Sequence, residues 1–565
     1  MHIQDMNRIA REPAVRPNLI KALPAVLALM ATSAWAQTSP AADAAAPAAA
    51  PVLRGVDPLA LPPSQTPEFV LREMQLPRLT TVTDEEVNAI VLPHLRQVLD
   101  AGRRRQIAEA LRALLESRGL VLAGVAVRTV DAAQGIARVV VIEPRLGRID
   151  VPPVDDAPIS EARVLGMLAG RGLAKGSLLD LNRLDEAMFL LNDMPGVGAR
   201  ANIAPSGDEG VFDLSVERTA RKRYEASVDA DNHGSRYSGR NRLGLFGRWN
   251  NPTHAGDNLD ARVVGSAGGG LLLGRLAYER PLGASPLRAS LGVSRVSYEL
   301  GAELAVLEPT GHANVIELAL TQALLRSRDR NLIGRLAIDT KKAQDRLGLD
   351  GIEVNRIDKT LRDLLLGLSF EARDSAGGGG YNGGAVALQV GHLRIDTADW
   401  SAADTALGSR ATQGTFAKLS LQASRLQAIA PQWSGYVGVS AQWANKNLDS
   451  SEKFTLGGAQ GVRAYPGGEV ATDRGVLLTL EVRRAIDSAW SVFGLYDAGA
   501  ARIQSRPAPG VDNSRTLHGF GLGVHFSHPE WFTLKANVAR RGSVEPTSVS
   551  DDSRVRFNLQ IQRAF

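Results

Sequence analysis

The side chains with the clearest chemical potential lie in and after a glycine-rich segment, Phe454–Glu469. The run at its centre is Gly461, Val462, Arg463, Ala464 and Tyr465. Glu481 and Asp497 lie on the next two strand-like segments. A guanidinium shielded from water prefers a bidentate carboxylate partner, so pairing with Asp497, or with Glu481 as second choice, would hold the loop against those strands. On spacing alone a solvated loop arginine is the simpler interpretation, because exposed ion pairs contribute little.

The sequence contains no pattern typical of an enzyme, a metal site or a nucleic-acid-binding surface. The chain has no cysteine, its nine histidines are scattered, and no His-Glu-x-x-His or Gly-x-Ser-x-Gly motif occurs. Segment 170–177 resembles a phosphate-binding loop, but Gly176 separates Lys175 from Ser177, which favours a loop between helices. The net charge is +5, yet Lys and Arg are spread along the chain. We therefore predict no catalytic residue, no metal, no cofactor and no nucleic-acid partner.

The N-terminal 67 residues are predicted to be a targeting segment followed by a linker. Residues 1–36 combine basic residues, a short apolar stretch and a small-x-small site at Ala34–Ala36, which is typical of a secretory signal peptide. A transmembrane anchor is the alternative, but the stretch is too short to cross about 30 Å of hydrocarbon. Residues 37–67 are rich in Ala and Pro, as in a linker with a possible plug helix.

Residues 68–145 and 146–219 show the same order of elements, strand, helix, helix, strand, strand. In the first segment, Asp84 is predicted to cap the first helix; in the second, Ser160 has that role. The last helix, Asp180–Asn192, carries its apolar residues along one stripe. The shared order predicts two tandem α+β units of about 75 residues each, and a single α+β domain is the alternative.

From residue 220 to the end, segments of about ten residues alternate apolar and polar side chains between turns, which is typical of membrane β-barrels. Sixteen candidate strands can be counted, an even number as in single-chain bacterial barrels. They begin near Tyr224, Gly239, Asn258, Leu271, Leu287, His312, Asn331, Thr360, Gly383, Gly414, Trp433, Arg474, Trp490, Leu517, Trp531 and Arg554. The last strand ends on Phe565, which we interpret as a C-terminal barrel signal. The predicted fold is a membrane barrel of sixteen antiparallel strands preceded by two α+β units.

The segment Arg474–Ile486 illustrates the two faces of a barrel strand. Apolar side chains fall on one face, at Val476, Leu478, Leu480 and Val482. Thr479, Glu481 and Arg483 fall on the other, so one face suits lipid and the other a wet lumen. A soluble β-sandwich is the competing fold, and the aromatic content of 5% is low for two aromatic girdles. The signal peptide and the strand count favour the barrel.

Three motifs make the mature chain resemble two-partner secretion transporters (TpsB), the haemolysin- or haemagglutinin-secreting branch of the superfamily that includes the insertase BamA. Leu190–Val197 is similar to the end of the long helix in the family's second POTRA domain. Gly457–Tyr465 is similar to the family's Val-Arg-Gly-Tyr/Phe loop motif. Phe493–Gly499 is similar to the motif on the thirteenth strand that receives the arginine.

The resemblance implies POTRA domains at 68–145 and 146–219, a plug helix before them, and a barrel at 220–565 with an in-folded loop at 446–473. It also implies that Arg463 pairs with Asp497 in the lumen. The sequence departs from the family in two places. Ala464 stands where the family commonly has Gly, which restricts a positive φ at the loop tip, and the Ala/Pro-rich segment is a poor plug helix.

The implied function is export of a large, unfolded partner exoprotein (TpsA type, a cytolysin or adhesin) through the outer membrane of a Gram-negative bacterium. Implied partners are that exoprotein, outer-membrane lipid, and the periplasmic chaperones and barrel-assembly machinery that insert the barrel. A BamA- or TamA-like insertase is the alternative, although such proteins usually carry more than two POTRA units. A passive porin would need none.

Overall fold

The structure is a computed structural model that describes residues 52–53, 67–406, 408–547 and 553–565. The expected signal peptide and the possible plug helix lie outside the described residues. The first described element is a short strand, β1 (Val52–Leu53). Two α+β units and a closed barrel follow it along the chain. None of the described helices is both long and apolar enough to cross a membrane.

The first α+β unit is a three-stranded sheet of order β2–β4–β3 with two helices. Its elements are β2 (Glu73–Gln75), α1 (Asp84–Val91), α2 (Ala101–Ser117), β3 (Gly124–Asp131) and β4 (Ile136–Ile142). The prediction that Asp84 caps α1 is wrong by one residue. Thr83 is the cap: its hydroxyl accepts from Glu86 N at 3.3 Å, and the Glu86 carboxylate accepts from Thr83 N at 2.9 Å. This capping box leaves Asp84 in the first turn, where its charge suits the helix dipole.

The second α+β unit repeats this order around a core of its own. Its elements are β5 (Arg145–Asp150), α3 (Glu161–Ala169), α4 (Leu181–Asn192), β6 (Val197–Pro205) and β7 (Val211–Ala220). Its sheet has the order β1–β6–β7–β5, with β1 parallel to β6. Ser160 caps α3 as predicted, and the carboxylate of Asp180 caps α4 rather than beginning it. Buried Leu184 and Leu191 centre this core, whereas Ile107 and Leu111 centre that of the first unit.

Sixteen antiparallel strands close into a barrel, as the sequence predicts. They are β8 (Tyr224–Asp231), β9 (Arg242–Asn250), β10 (Asn258–Ser266), β11 (Leu271–Pro281), β12 (Leu287–Glu299), β13 (Thr310–Arg326), β14 (Arg330–Leu349), β15 (Ile352–Asp374), β16 (Gly380–Ile395), β17 (Gly414–Ala430), β18 (Trp433–Ala444), β21 (Arg474–Ala485), β22 (Trp490–Arg502), β23 (Ser514–Ser527), β24 (Thr533–Arg541) and β25 (Val555–Ala564). Two short strands between β18 and β21, β19 (Phe454–Thr455) and β20 (Ala471–Thr472), pair only with each other. Pairing of β25 with β8 closes the barrel. One predicted start is clearly displaced: β15 begins at Ile352 rather than near Thr360.

The barrel strands turn apolar side chains outwards and polar side chains inwards. On β21, Val476 and Val482 are 43% and 52% exposed, whereas Glu481 is 4% exposed, in agreement with the predicted faces. Three exposed tryptophans lie where strands begin at the end of the barrel nearest the α+β units, Trp433, Trp490 and Trp531, and exposed Trp443 lies at the opposite end of β18. This partial aromatic girdle and the closed sheet exclude the β-sandwich alternative.

The second α+β unit contacts two barrel turns at that same end. The guanidinium of Arg326, at the end of β13, donates to both carboxylate oxygens of Asp193 at 2.6 and 2.8 Å. The same guanidinium lies 5.0 Å from the ring centroid of Phe189 on α4. In the turn between β9 and β10, Asn251 Nδ2 donates to Pro158 O at 2.6 Å. The end of α4 is therefore a docking surface for the barrel.

Candidate functional site

The segment 446–473, between β18 and β21, returns to the inner wall of the barrel instead of extending outwards. Its two limbs pair through β19 and β20, with Phe454 opposite Thr472. Beyond this pairing the tip folds on itself, and Val462 N donates to Leu456 O at 2.6 Å. Gly461 is required here, because a Cβ at this position would overlap the carbonyl of Leu456.

Arg463 lies at the tip of this loop and is 4% exposed. Its Nε and Nη2 donate to the two carboxylate oxygens of Asp497 at 2.8 Å each, and its backbone N donates to Asp497 at 3.1 Å. Its Nη1 donates to Glu481 Oε1. The structure therefore brings Arg463 together with both carboxylates considered from the sequence, and the bidentate partner is Asp497.

The two carboxylates differ in their other charged neighbours. Glu481 is also bound by Arg483 Nη2 at 2.7 Å, and Lys535 Nζ lies 3.9 Å away. Asp497 is fully buried, and among the described residues its ion pair is with Arg463 alone. Burial of a charge is tolerated only where it is paired and hydrogen-bonded. Asp497 therefore depends on the loop arginine, whereas Glu481 has other cations.

We call the set of buried contacts that hold Arg463 its seat. Two asparagines on the last strands complete this seat, and they were not predicted from the sequence. Asn558 Nδ2 on β25 donates to Arg463 O at 3.1 Å. The same amide donates to Asn537 Oδ1 on β24 at 3.0 Å. Both side chains are buried. A polar residue at an inward position of a barrel strand is common, so the sequence carried no signal that distinguished these two.

The residues next to Arg463 pack against apolar side chains of the barrel wall. Val462, Ala464 and Tyr465 are buried against inward-facing residues of β21 to β24, and the Tyr465 hydroxyl donates to Val544 O at 2.9 Å. Ala464 does not have a positive φ, so the restriction expected from its methyl group does not arise. Space for that methyl comes from Gly519 on β23, where an added Cβ would lie 2.5 Å from the Ala464 Cβ.

The C-terminal Phe565 lies away from the loop. Its backbone N donates to Ala226 O on β8 at 2.8 Å; the residue is 57% exposed, and the Arg563 guanidinium lies 5.0 Å from the centroid of its ring. Phe565 thus continues the pairing of β25 with β8 beyond Ala564, the last residue of β25.

Within the described ranges, no group of three or more acidic or His side chains has an arrangement that could hold a metal ion.

A closed barrel with an apolar exterior and a polar inner wall is the architecture of a bacterial outer-membrane protein. The family described as haemolysin secretion/activation protein ShlB/FhaC/HecB matches residues 210–526, more than half of the chain. The chain therefore belongs to this family, the two-partner secretion transporters of the outer membrane in the BamA superfamily. The resemblance inferred from the sequence is confirmed.

Relatives and solved structures agree with this membership. The heme/hemopexin transporter protein HuxB of Haemophilus influenzae strain 86-028NP is 22% identical over 417 residues, which cover 73% of this chain and 72% of HuxB. The outer membrane transporter CdiB of Dickeya dadantii is 20% identical, covering 71% and 70%. CdiB from Escherichia coli shares the fold with a TM-score of 0.71 and 19% identity, covering 98% of this chain and 99% of that structure. BamA from Haemophilus ducreyi lacking POTRA domains 1–3 shares the fold at 0.52 and 12% identity, covering 88% and 100%.

Proposed function

We propose that this transporter exports a secreted partner protein, unfolded, through its barrel, and that loop 446–473 is the gate. The observation that carries the proposal is the buried seat of Arg463 on Asp497 and Glu481. A loop that merely covered a pore would not need a buried arginine paired with two carboxylates. Such a seat holds the loop in one place until something displaces it.

The two α+β units are proposed to be POTRA domains in the periplasm, at residues 68–145 and 146–219. Support comes from their repeated order of elements and from the docking of the second unit on barrel turns. Their sheets end in edge strands, and β3 is an edge of the first sheet. An extended segment of the partner could add to such an edge by backbone hydrogen bonding. Folding of the partner outside the cell would then draw the chain outwards.

The names of the relatives describe transporters but do not give one shared cargo. HuxB is named for heme/hemopexin transport, and CdiB is named only as an outer membrane transporter. We infer a large secreted exoprotein of the TpsA type for this chain, a cytolysin or an adhesin. Insertion of the barrel itself is proposed to need periplasmic chaperones and the barrel-assembly machinery.

The test is secretion of a candidate exoprotein, encoded beside this chain, into the medium of a co-expressing strain. Wild-type protein should release the exoprotein, and Arg463→Ala should abolish release while the barrel stays inserted and heat-modifiable. Arg463→Lys is the matched variant, because Lys keeps the charge but cannot make the bidentate contact. Normal secretion by Arg463→Ala would refute the gate. Absence of secretion with wild-type protein, together with a defect in outer-membrane protein insertion in the deletion strain, would favour the insertase.

A further inference from the structure

The loop has a second buried seat, on a different wall of the barrel from Arg463. Glu452 lies in the first limb of the loop, before β19, and is 2% exposed. Lys341 Nζ on β14 donates to one of its carboxylate oxygens at 2.6 Å, and Lys418 Nζ on β17 donates to the other at 2.7 Å. Gln389 Nε2 on β16 also donates to this carboxylate, at 2.9 Å. One loop carboxylate thus joins three barrel strands.

Contacts on either side of Glu452 extend this seat. Asp449 accepts from Lys359 Nζ on β15 at 2.9 Å, and Gln442 Nε2 on β18 donates to Glu452 O at 3.1 Å. Leu448, which is 1% exposed, packs with buried residues of β15 to β18. The first limb is therefore fixed to the wall formed by β14 to β18 through both charge and apolar packing.

The tip is fixed to the other side of the closed sheet. Arg463 contacts carboxylates on β21 and β22 and the amide of Asn558 on β25. The two seats share no side chain among these contacts. Because no barrel side chain contributes to both seats, one seat holds the first limb and the other holds the tip.

We propose that Glu452 is a second positioning residue of the loop, and that opening of the pore requires release of its seat as well as that of Arg463. This inference rests on the proposed gating role of the loop. Release of the tip alone would leave the first limb along β14 to β18 and the lumen still partly filled. An exported chain would have to displace both the tip and the first limb before it could pass.

The absence of cysteine from the chain makes a direct test possible. Ser450→Cys, at a buried position beside Glu452, reports on the first limb, and Val462→Cys reports on the tip. The rate of modification by a thiol-reactive maleimide is measured for the folded protein in detergent micelles. Glu452→Gln should raise the rate at Ser450→Cys by about tenfold or more, since a buried pair loses its charge, and leave Val462→Cys within about twofold. Arg463→Ala should raise the rate at Val462→Cys by about tenfold or more and leave the rate at Ser450→Cys within about twofold.

Variants of Lys341, whose ammonium also pairs with Asp363 on β15 at 3.2 Å, change the charge on the barrel side of the seat. Lys341→Met should raise the modification rate of Ser450→Cys as Glu452→Gln does. Lys341→Arg keeps the charge, so Ser450→Cys should stay protected. Arg346→Met is the matched control, because Arg346 is on the same strand but its pair with Glu353 is half exposed; it should have no effect. Heat-modifiable migration confirms that each barrel is folded.

Two outcomes would overturn the second seat. One is that Arg463→Ala alone exposes Ser450→Cys as strongly as Glu452→Gln, which would mean that a single anchor governs the whole loop. The other is that Ser450→Cys stays protected in both Glu452→Gln and Lys341→Met. The modification assay needs no exported partner, so its result is independent of whether secretion of a candidate exoprotein is observed.

Discussion

Asp497 and Glu481 bind the same guanidinium, yet their removal should have unequal effects. Asp497→Asn takes away the bidentate partner of a buried arginine, and loss of one partner of such a pair costs about 3–5 kcal/mol. Glu481→Gln leaves Arg463 paired with Asp497, while Arg483 and Lys535 keep partly exposed side chains that can return to water. We expect Asp497→Asn to lower both the free energy of unfolding and the amount of secreted exoprotein more than Glu481→Gln does.

Urea unfolding of the purified variants and secretion in a co-expressing strain measure this difference. Asp497→Arg, which reverses the charge, should match or exceed the loss caused by Asp497→Asn. A stronger defect for Glu481→Gln than for either Asp497 variant would show that the partners are ranked wrongly. In that case, Glu481 rather than Asp497 would be the residue on which the seat depends.

Ala464 and Gly519 pack so closely that the size of one side chain limits the size of the other. A methyl at Gly519 would lie 2.5 Å from the Ala464 Cβ and 3.1 Å from Arg540 O, so Gly519→Ala should displace the loop tip. We expect a lower melting temperature and less secretion, with partial recovery in Gly519→Ala/Ala464→Gly. Gly274→Ala, at a strand position with no atom within 4 Å of the added Cβ, is the control. Equal effects of Gly519→Ala and Gly274→Ala would contradict this contact.

At the level of elements, the end of α4 docks on the barrel through Arg326. Arg326→Ala removes both its pair with Asp193 and its contact with the Phe189 ring. Together these are worth about 1–2 kcal/mol, because the pair is partly exposed, so amides of α4 should exchange hydrogen about fivefold to thirtyfold faster. Arg425→Ala is the control, since its pair with Asp374 lies at the same end of the barrel but apart from the docking contact. Unchanged exchange in Arg326→Ala would exclude the docking role.

The elements themselves were largely predictable, because each barrel side chain faces either lipid or lumen and so obeys a period of two. The starts of strands were less predictable where a strand runs past the membrane. β15 begins at Ile352, and Arg356 and Asp358 separate its first apolar residues from the lipid-facing row on the same face. The cap of α1 was displaced to Thr83 because a hydroxyl with Glu86 three residues later makes a reciprocal box that an acidic residue alone cannot make.

The loop contacts were only partly predictable, for a physical reason at the scale of the whole molecule. Arg463 with Asp497 was expected because a family motif marks both positions, and the structure places them in contact. Glu452 with Lys341 and Lys418 had no such marker. These residues are brought together only when the sheet closes and the loop folds inwards. Periodicity assigns Lys341 and Lys418 to the lumen but gives no information on what crosses it.

The barrel as a whole must keep an uninterrupted apolar band towards lipid, and β14 lies within that band. Ile338 is 52% exposed and pairs laterally with Leu318 and Leu364, which are both 49% exposed. An arginine in such a row near the bilayer centre costs about 2–4 kcal/mol, and the cost falls towards zero at the interfaces. We therefore expect Ile338→Arg to lower the free energy of unfolding in lipid vesicles by about 2–4 kcal/mol.

A positional control follows from the length of the strands. β14 has 20 residues, whereas about 9–11 tilted residues cross the hydrocarbon, so its far end and the start of β15 lie beyond the lipid. Ile352, beside the turn between them, is 68% exposed, and the same change there, Ile352→Arg, should cost about 0–1 kcal/mol. Ile338→Ala removes apolar area without adding charge and should fall between the two. Equal losses at Ile338 and Ile352 would mean that the apolar rows do not mark the membrane, and that the barrel sits at a different depth along its axis.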